Sequence, residues 1–215
     1  MNIKYIDEKL YFNLSTDENY YSQRNNELDP FNSCATTNIV QGLELCGYDL
    51  PKGKYNQAED NLLSYIRTNK KVLNFYKTNY PQYYAEWYAN PSSSKVYQPN
   101  ELHKVNEYAV NLYYGKQVIH FDENFDIRQI PYELFIRKRP LIMSGLFNKL
   151  NHIVTLVGMN IDKKNVEYVI DDTYGNFRDK NYKGSGNDII LSEKEFLSML
   201  KPFNNLNKWA YVFDI

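Results

Sequence analysis

Apolar residues are spaced differently in the two halves of this chain. Up to about residue 115 they recur at three- and four-residue intervals, and beyond it they gather in short runs bounded by polar or turn-forming residues. Before the first helical pattern, Ile3-Lys4-Tyr5-Ile6 and Leu10-Tyr11-Phe12-Asn13-Leu14 predict a short hairpin or arm within residues 1–22. Asn25-Asn26-Glu27-Leu28-Asp29-Pro30 has loop chemistry. A helix follows from about Cys34, with Ile39, Val40, Leu43 and Cys46 on one face and Gly47 as its stop. Residues 58–90 read as helical, with Leu62, Leu63, Ile66, Leu73 and Phe75 at the apolar positions. Ser92-Ser93-Ser94, between Pro91 and Pro99, marks a loop, and a further helix spans about 100–113 and ends before Gly115.

In the second half, strands are predicted at 117–121, 141–145, 152–160, 166–170 and 209–213, with a short helix at about 130–138. A last helix at about 192–200 starts with Ser192 and has Glu195 three residues later, the capping-box pattern. Helices first and strands second predict an α+β domain rather than an alternating parallel fold. The 215 residues fit one domain, with about 50–115 as a helical insertion or helical half. No internal repeat is visible.

Composition narrows the function classes. An apolar fraction of 43% suffices for a core, and a net charge of −1 argues against a nucleic-acid partner. Arg137-Lys138-Arg139, the one tight basic cluster, reads as a solvated turn. The 21 tyrosines could furnish an aromatic groove for a peptide or sugar polymer, but AT-rich codon usage accounts for most of them. No segment reaches the ~18 apolar residues of a membrane helix, and Met1–Lys9 lacks the apolar stretch of a secretory signal. The expectation is a cytoplasmic product as synthesised, without a membrane partner, reaching a cell wall only on lysis. A monomer is the simplest assembly.

If 34–46 is helical, Cys34 and Cys46 lie roughly 18 Å apart, beyond disulfide reach. Two free thiols suit a reducing compartment. They also exclude a multi-cysteine zinc site, and His103, His120 and His152 show no ligand spacing, so no metal or other cofactor is expected.

The remaining chemistry is nucleophilic. Cys34 opens a helix, where the N-terminus favours a thiolate, with Asn32 or Ser33 placed to cap. A cysteine is more often a small buried hydrophobe, and Cys46 is read that way. His152 heads an apolar strand after the loop Leu146-Phe147-Asn148-Lys149-Leu150, so its ring emerges at a strand end. His103 and His120 read as structural or solvated. Asp172, about twenty residues beyond His152, is placed to orient the imidazole, with Asp171 alternating to the opposite face. A calcium loop at Asp171-Asp172-Thr173-Tyr174-Gly175-Asn176 lacks the spaced oxygen ligands. An oxyanion needs donors: the Cys34 amide is one, and Gln23, Asn25 or Asn26 could supply another.

Five segments in order carry a resemblance. They are Tyr21-Ser22-Gln23-Arg24-Asn25-Asn26, Cys34-Ala35-Thr36-Thr37, Arg139-Pro140-Leu141-Ile142, His152–Asn160 and Asp171–Asn176. Together they resemble the C39-like cysteine peptidases of the papain superfamily, in a form found in bacteria and phages. The resemblance implies a papain-like fold, its helical first half packed on an antiparallel sheet from the second half. It assigns Cys34 as nucleophile, His152 as base, Asp172 as orienting acid and Gln23 as oxyanion amide. Asn151 stands where the family usually has Gly, and Thr173 follows the acid where it usually has Pro. These departures leave Asp171 open as an alternative orienting acid.

A cysteine endopeptidase is therefore expected, acting on peptidoglycan cross-bridges or stem peptides as a phage-type lysin does. Processing of a protein or leader peptide is the close alternative. An acyl transferase and an inactive binding module are alternatives of other classes.

Overall fold

A computed structural model describes residues 2–6, 8–147, 150–179, 181–200 and 208–214. It is an α+β fold with helices packed on an antiparallel sheet. Strands β1 (Asn2–Ile6) and β2 (Lys9–Asn13) form the expected N-terminal hairpin. Among the described residues the α-helices that follow are α1 (Cys34–Leu45), α2 (Ala58–Thr68), α3 (Lys70–Asn79), α4 (Pro81–Ala89) and α5 (His103–Tyr114). The remaining strands are β3 (Ile119–Asp122), β4 (Leu141–Phe147), β5 (Leu150–Ile161), β6 (Val166–Asp171), β7 (Ile189–Ser192) and β8 (Ala210–Phe213). Helix α6 (Glu193–Met199) lies between the last two.

Physical reasons for several boundaries are local. The single helical stretch expected over 58–90 is three helices. Asn69 caps α3 by accepting from the Lys71 and Val72 amides, and Pro81 starts α4 at a position where its missing N–H costs nothing. Helix α1 stops where predicted, at Gly47 with its positive φ of 77°. Ser192 accepts from the Glu195 amide at 3.3 Å, so the anticipated cap of α6 forms. The short helix near 130–138 is a π-helical turn at Tyr132–Ile136.

All strand pairs are antiparallel, in the order β1-β2-β5-β4-β8-β3, with β6 and then β7 branching from β5. Strands β4 and β2 take successive stretches of one edge of β5, and β6 takes the other. The sheet is therefore not built from the second half alone, since the N-terminal hairpin joins it. Strand β7 was not anticipated.

Both faces of the sheet are covered. Leu141, Met143, Val154, Leu156, Ala210 and Val212 face one core with Leu134 and Phe196. The alternating residues Ile142, Ile153, Tyr211 and Phe213 face the other, with Ile39, Val40 and Leu43 of α1 and residues of α2 and α5. Burial on both sides explains the near-continuous apolar runs. Each large side chain so buried contributes roughly 1.5–3 kcal/mol. Gly42 is what lets α1 approach β8, because a Cβ there would run into the Phe213 ring.

Candidate active site

Cys34 is the first residue of α1. Ser33 occupies the N-cap position but makes no side-chain cap bond. Its hydroxyl instead accepts from Asn26 Nδ2 at 2.8 Å, and Asn26 also donates to Thr37 Oγ1 at 3.1 Å. Helix α2 clamps the loop ahead of Cys34. The Asp60 carboxylate accepts from the Glu27 and Leu28 amides, and Arg67 pairs with Asp29 at 2.7 Å. Asn100 Nδ2 donates to the Asn32 carbonyl. The helical half thus fixes the loop that presents the thiol.

His152 lies near the start of β5, two residues inside the strand and opposite Gly145 of β4. The expected turn before it falls partly at 148–149, outside the described residues. Its Nε2 lies 2.7 Å from Asp172 Oδ1, and the ring also hydrogen-bonds the Cys34 side chain. With Nε2 engaged by Asp172, Nδ1 is the nitrogen left for sulfur. Burial disfavours charge on this ring, but hydrogen bonds and charge from Asp172 and Cys34 outweigh it and raise its pKa to about 10.

Asp172 is fully buried just beyond β6, and its Oδ1 also accepts from the Tyr174 amide at 2.9 Å. Asp171 points elsewhere. Its Oδ2 accepts from Ser15 Oγ and Gln41 Nε2, and its Oδ1 from the Asp188 amide. Burial pushes its carboxyl up to about 6, against those hydrogen bonds. The alternative of Asp171 as orienting acid is thus corrected: Asp172 holds the contact, and Asp171 ties β6 to α1 and to the loop before β7.

Asn38, absent from the sequence-based candidates, joins the three segments. Its Nδ2 faces the Cys34 carbonyl at 2.7 Å, the Ile153 carbonyl at 3.0 Å and Thr173 Oγ1 at 3.2 Å, while its Oδ1 accepts from Thr155 Oγ1. The available signal was a polar residue one turn after Cys34, directly before the apolar pair Ile39-Val40.

Gln23 departs from expectation. It is buried, but its Nε2 donates to the Pro30 and Phe31 carbonyls and its Oε1 accepts from Thr173 Oγ1. It does not line the cleft that Cys34 and His152 share. The oxyanion assignment is corrected on that ground: Gln23 braces the loop before Cys34 against the segment after Asp172. Asn25 is exposed, and Asn26 is committed to Ser33 and Thr37.

The cleft itself is about 560 Å³. Cys34, His152, Asn32, Ser144 and Asn151 line it on the polar side, and Phe31, Tyr97 and Trp209 bring aromatic rings. Tyr97, Asn100, Glu101 and His103 come from the helical half, which forms one wall. His103 is held neutral by burial, which lowers its pKa to about 4, and its Nδ1 lies 2.9 Å from Tyr211 Oη. Of the two expectations, structural or solvated, this bond fits the first, and His103 also faces the cleft. His120 contacts Asp214 at 3.2 Å. Cys46 is a free thiol at the end of α1, its pKa pushed up to about 12 by burial.

Among the described residues no three His, Cys, Asp or Glu side chains group as metal ligands, and no helix is long and apolar enough to cross a membrane. No family model and no curated protein matches this chain. Its chemistry has to be read from the site alone. A thiol, an imidazole and a carboxylate in one hydrogen-bonded series can move a proton from sulfur to nitrogen and hold the resulting charge.

Proposed function

We propose that this chain is a cysteine peptidase of the C39-like, papain-like kind, with Cys34, His152 and Asp172 as its catalytic residues. The observation that carries the reading is the hydrogen-bonded series Cys34–His152–Asp172, opening on one cleft. Cys34 is attacking thiolate, formed by proton transfer to His152 and favoured by the α1 N-terminus. Its sulfur adds to the scissile carbonyl, and the Cys34 backbone N–H supports the oxyanion. The His152 imidazolium then protonates the leaving amine, which departs and leaves a thioester. Water deprotonated by His152 hydrolyses that thioester and restores the thiol. Asp172, through Nε2, keeps the ring oriented with Nδ1 toward sulfur.

For the substrate, the resemblance in the sequence favours cell-wall peptides, either cross-bridges or stems. An aromatic and amide-lined cleft is compatible with an extended peptide. Purified peptidoglycan provides the test, followed by turbidity and by released amino groups, with wild type beside Cys34→Ala. Lysis with new free amines, absent from the variant, is expected. If a protein substrate is cut and peptidoglycan is not, the peptidase stands and the substrate assignment falls. If neither is cut and Cys34 shows no enhanced reactivity, the fold serves binding instead.

A further inference from the structure

A second cavity of about 590 Å³ lies apart from the candidate active site. Its wall includes Tyr21, whose hydroxyl bonds Glu44 in the last turn of α1. That turn is roughly 15 Å along the helix from Cys34. The two cavities share no lining residue.

Glu59 is the telling residue of this lining. It is 3% exposed, in the first turn of α2, and the one hydrogen bond its carboxylate takes among the described residues is from its own backbone N–H. Ionised, Glu59 is an acceptor, and Glu18 adds another carboxylate to the wall. Burial, with Asp60 adding to it, pushes the Glu59 carboxyl up to about 7. An anionic ligand would be repelled by the ionised form and a neutral apolar one favours the protonated form, whereas a cation stabilises the carboxylate. A cationic donor answers Glu59.

The rest of the wall says what kind of cation. Tyr20, Tyr21 and Tyr55 also line the cavity, and ring faces attract ammonium groups while their bodies pack on alkyl stems. Tyr55 already shows this chemistry, with the Lys54 ammonium 4.7 Å from its ring centroid. Lys52, the cation in the lining, is exposed.

We propose that this cavity binds a primary ammonium group carried on an apolar stem, with the ammonium against Glu59 and the stem against the tyrosines. The source is a free alkylamine or a lysine side chain of another polypeptide. The inference is independent of the peptidase reading.

The test is an amide NMR titration of the full chain with n-butylammonium, with n-butanol as the neutral control of the same stem. Saturable shifts at residues 55–61 are expected with the amine in the millimolar range and not with the alcohol. In Glu59→Gln, shown to be folded by its dispersed spectrum, affinity should fall by about tenfold or more. In Cys34→Ala it should be unchanged. A short blocked peptide with one central lysine separates the sources: tighter binding than butylammonium assigns a lysine side chain, and equal or weaker binding a free amine. No saturable shift, equal shifts with butanol, or undiminished affinity in Glu59→Gln would overturn the proposal.

Discussion

At the scale of single residues, the charge state of His152 is the quantity on which the chemistry depends. Burial alone would hold the ring neutral, as it does at His103, and the difference is made by Asp172 and Cys34. A raised pKa means the charged form persists as pH rises, until about 10 is passed. Any stability the charged ring contributes is full below its unfolded value of ~6.5 and is lost through the folded one. A histidine Cε1–H NMR titration is expected to show His152 protonated throughout the neutral range. Asp172→Asn should move that titration down toward the ordinary value, whereas Asp171→Asn should leave it in place. Equal effects of the two substitutions would contradict the assignment of Asp172. The contact of Cys34, His152 and Asp172 was legible in the sequence because each residue sits at an element end with a local signature. Gln23 was not legible, because where its amide points depends on the path of the loop over 26–33, which no local pattern encodes.

Among the elements, α1, β5 and the segment after β6 must keep a fixed spacing for those side chains to meet. Asn38 spans all three, through the Cys34 and Ile153 carbonyls and Thr173 Oγ1. Asn38→Ala leaves buried groups unpaired and should cost roughly 1–3 kcal/mol, read as a lower urea midpoint. It should also slow alkylation of Cys34, which a loss of stability alone does not do in folded protein. Gly42→Ala tests the packing of α1 on β8. A methyl group there meets the Phe213 ring, so a loss of about 1–3 kcal/mol is expected despite the better helix propensity of alanine. Most elements were readable from period and caps. Strand β7 was missed because its four residues follow Gly184, Ser185 and Gly186 and lack the length of a pattern. Division of 58–90 into three helices rests on Asn69 and Pro81, which the apolar spacing alone does not report.

Over the whole molecule, the cleft lies where the helical half meets the sheet. The helices contribute a wall and the clamp on the nucleophile loop, and the sheet contributes His152. The α+β class followed from the change in apolar spacing, but the membership of the N-terminal hairpin in the sheet did not, since pairing of β2 with β5 joins residues about 150 apart. The last strand, β8, sits between β4 and β3 and supplies side chains to both cores. Truncation before Lys208 should therefore abolish cooperative unfolding by circular dichroism rather than trim an edge. A cooperative transition in the truncated chain would show that the two cores do not depend on β8.

Activation of Cys34 by His152 is measured by the rate of Cys34 alkylation by iodoacetamide against pH, followed by mass spectrometry. At neutral pH the wild-type Cys34 is predicted to react much faster than Cys46, and roughly tenfold or more faster than in His152→Ala. A wild-type rate that climbs like that of an ordinary thiol, and is unchanged in His152→Ala, would contradict it.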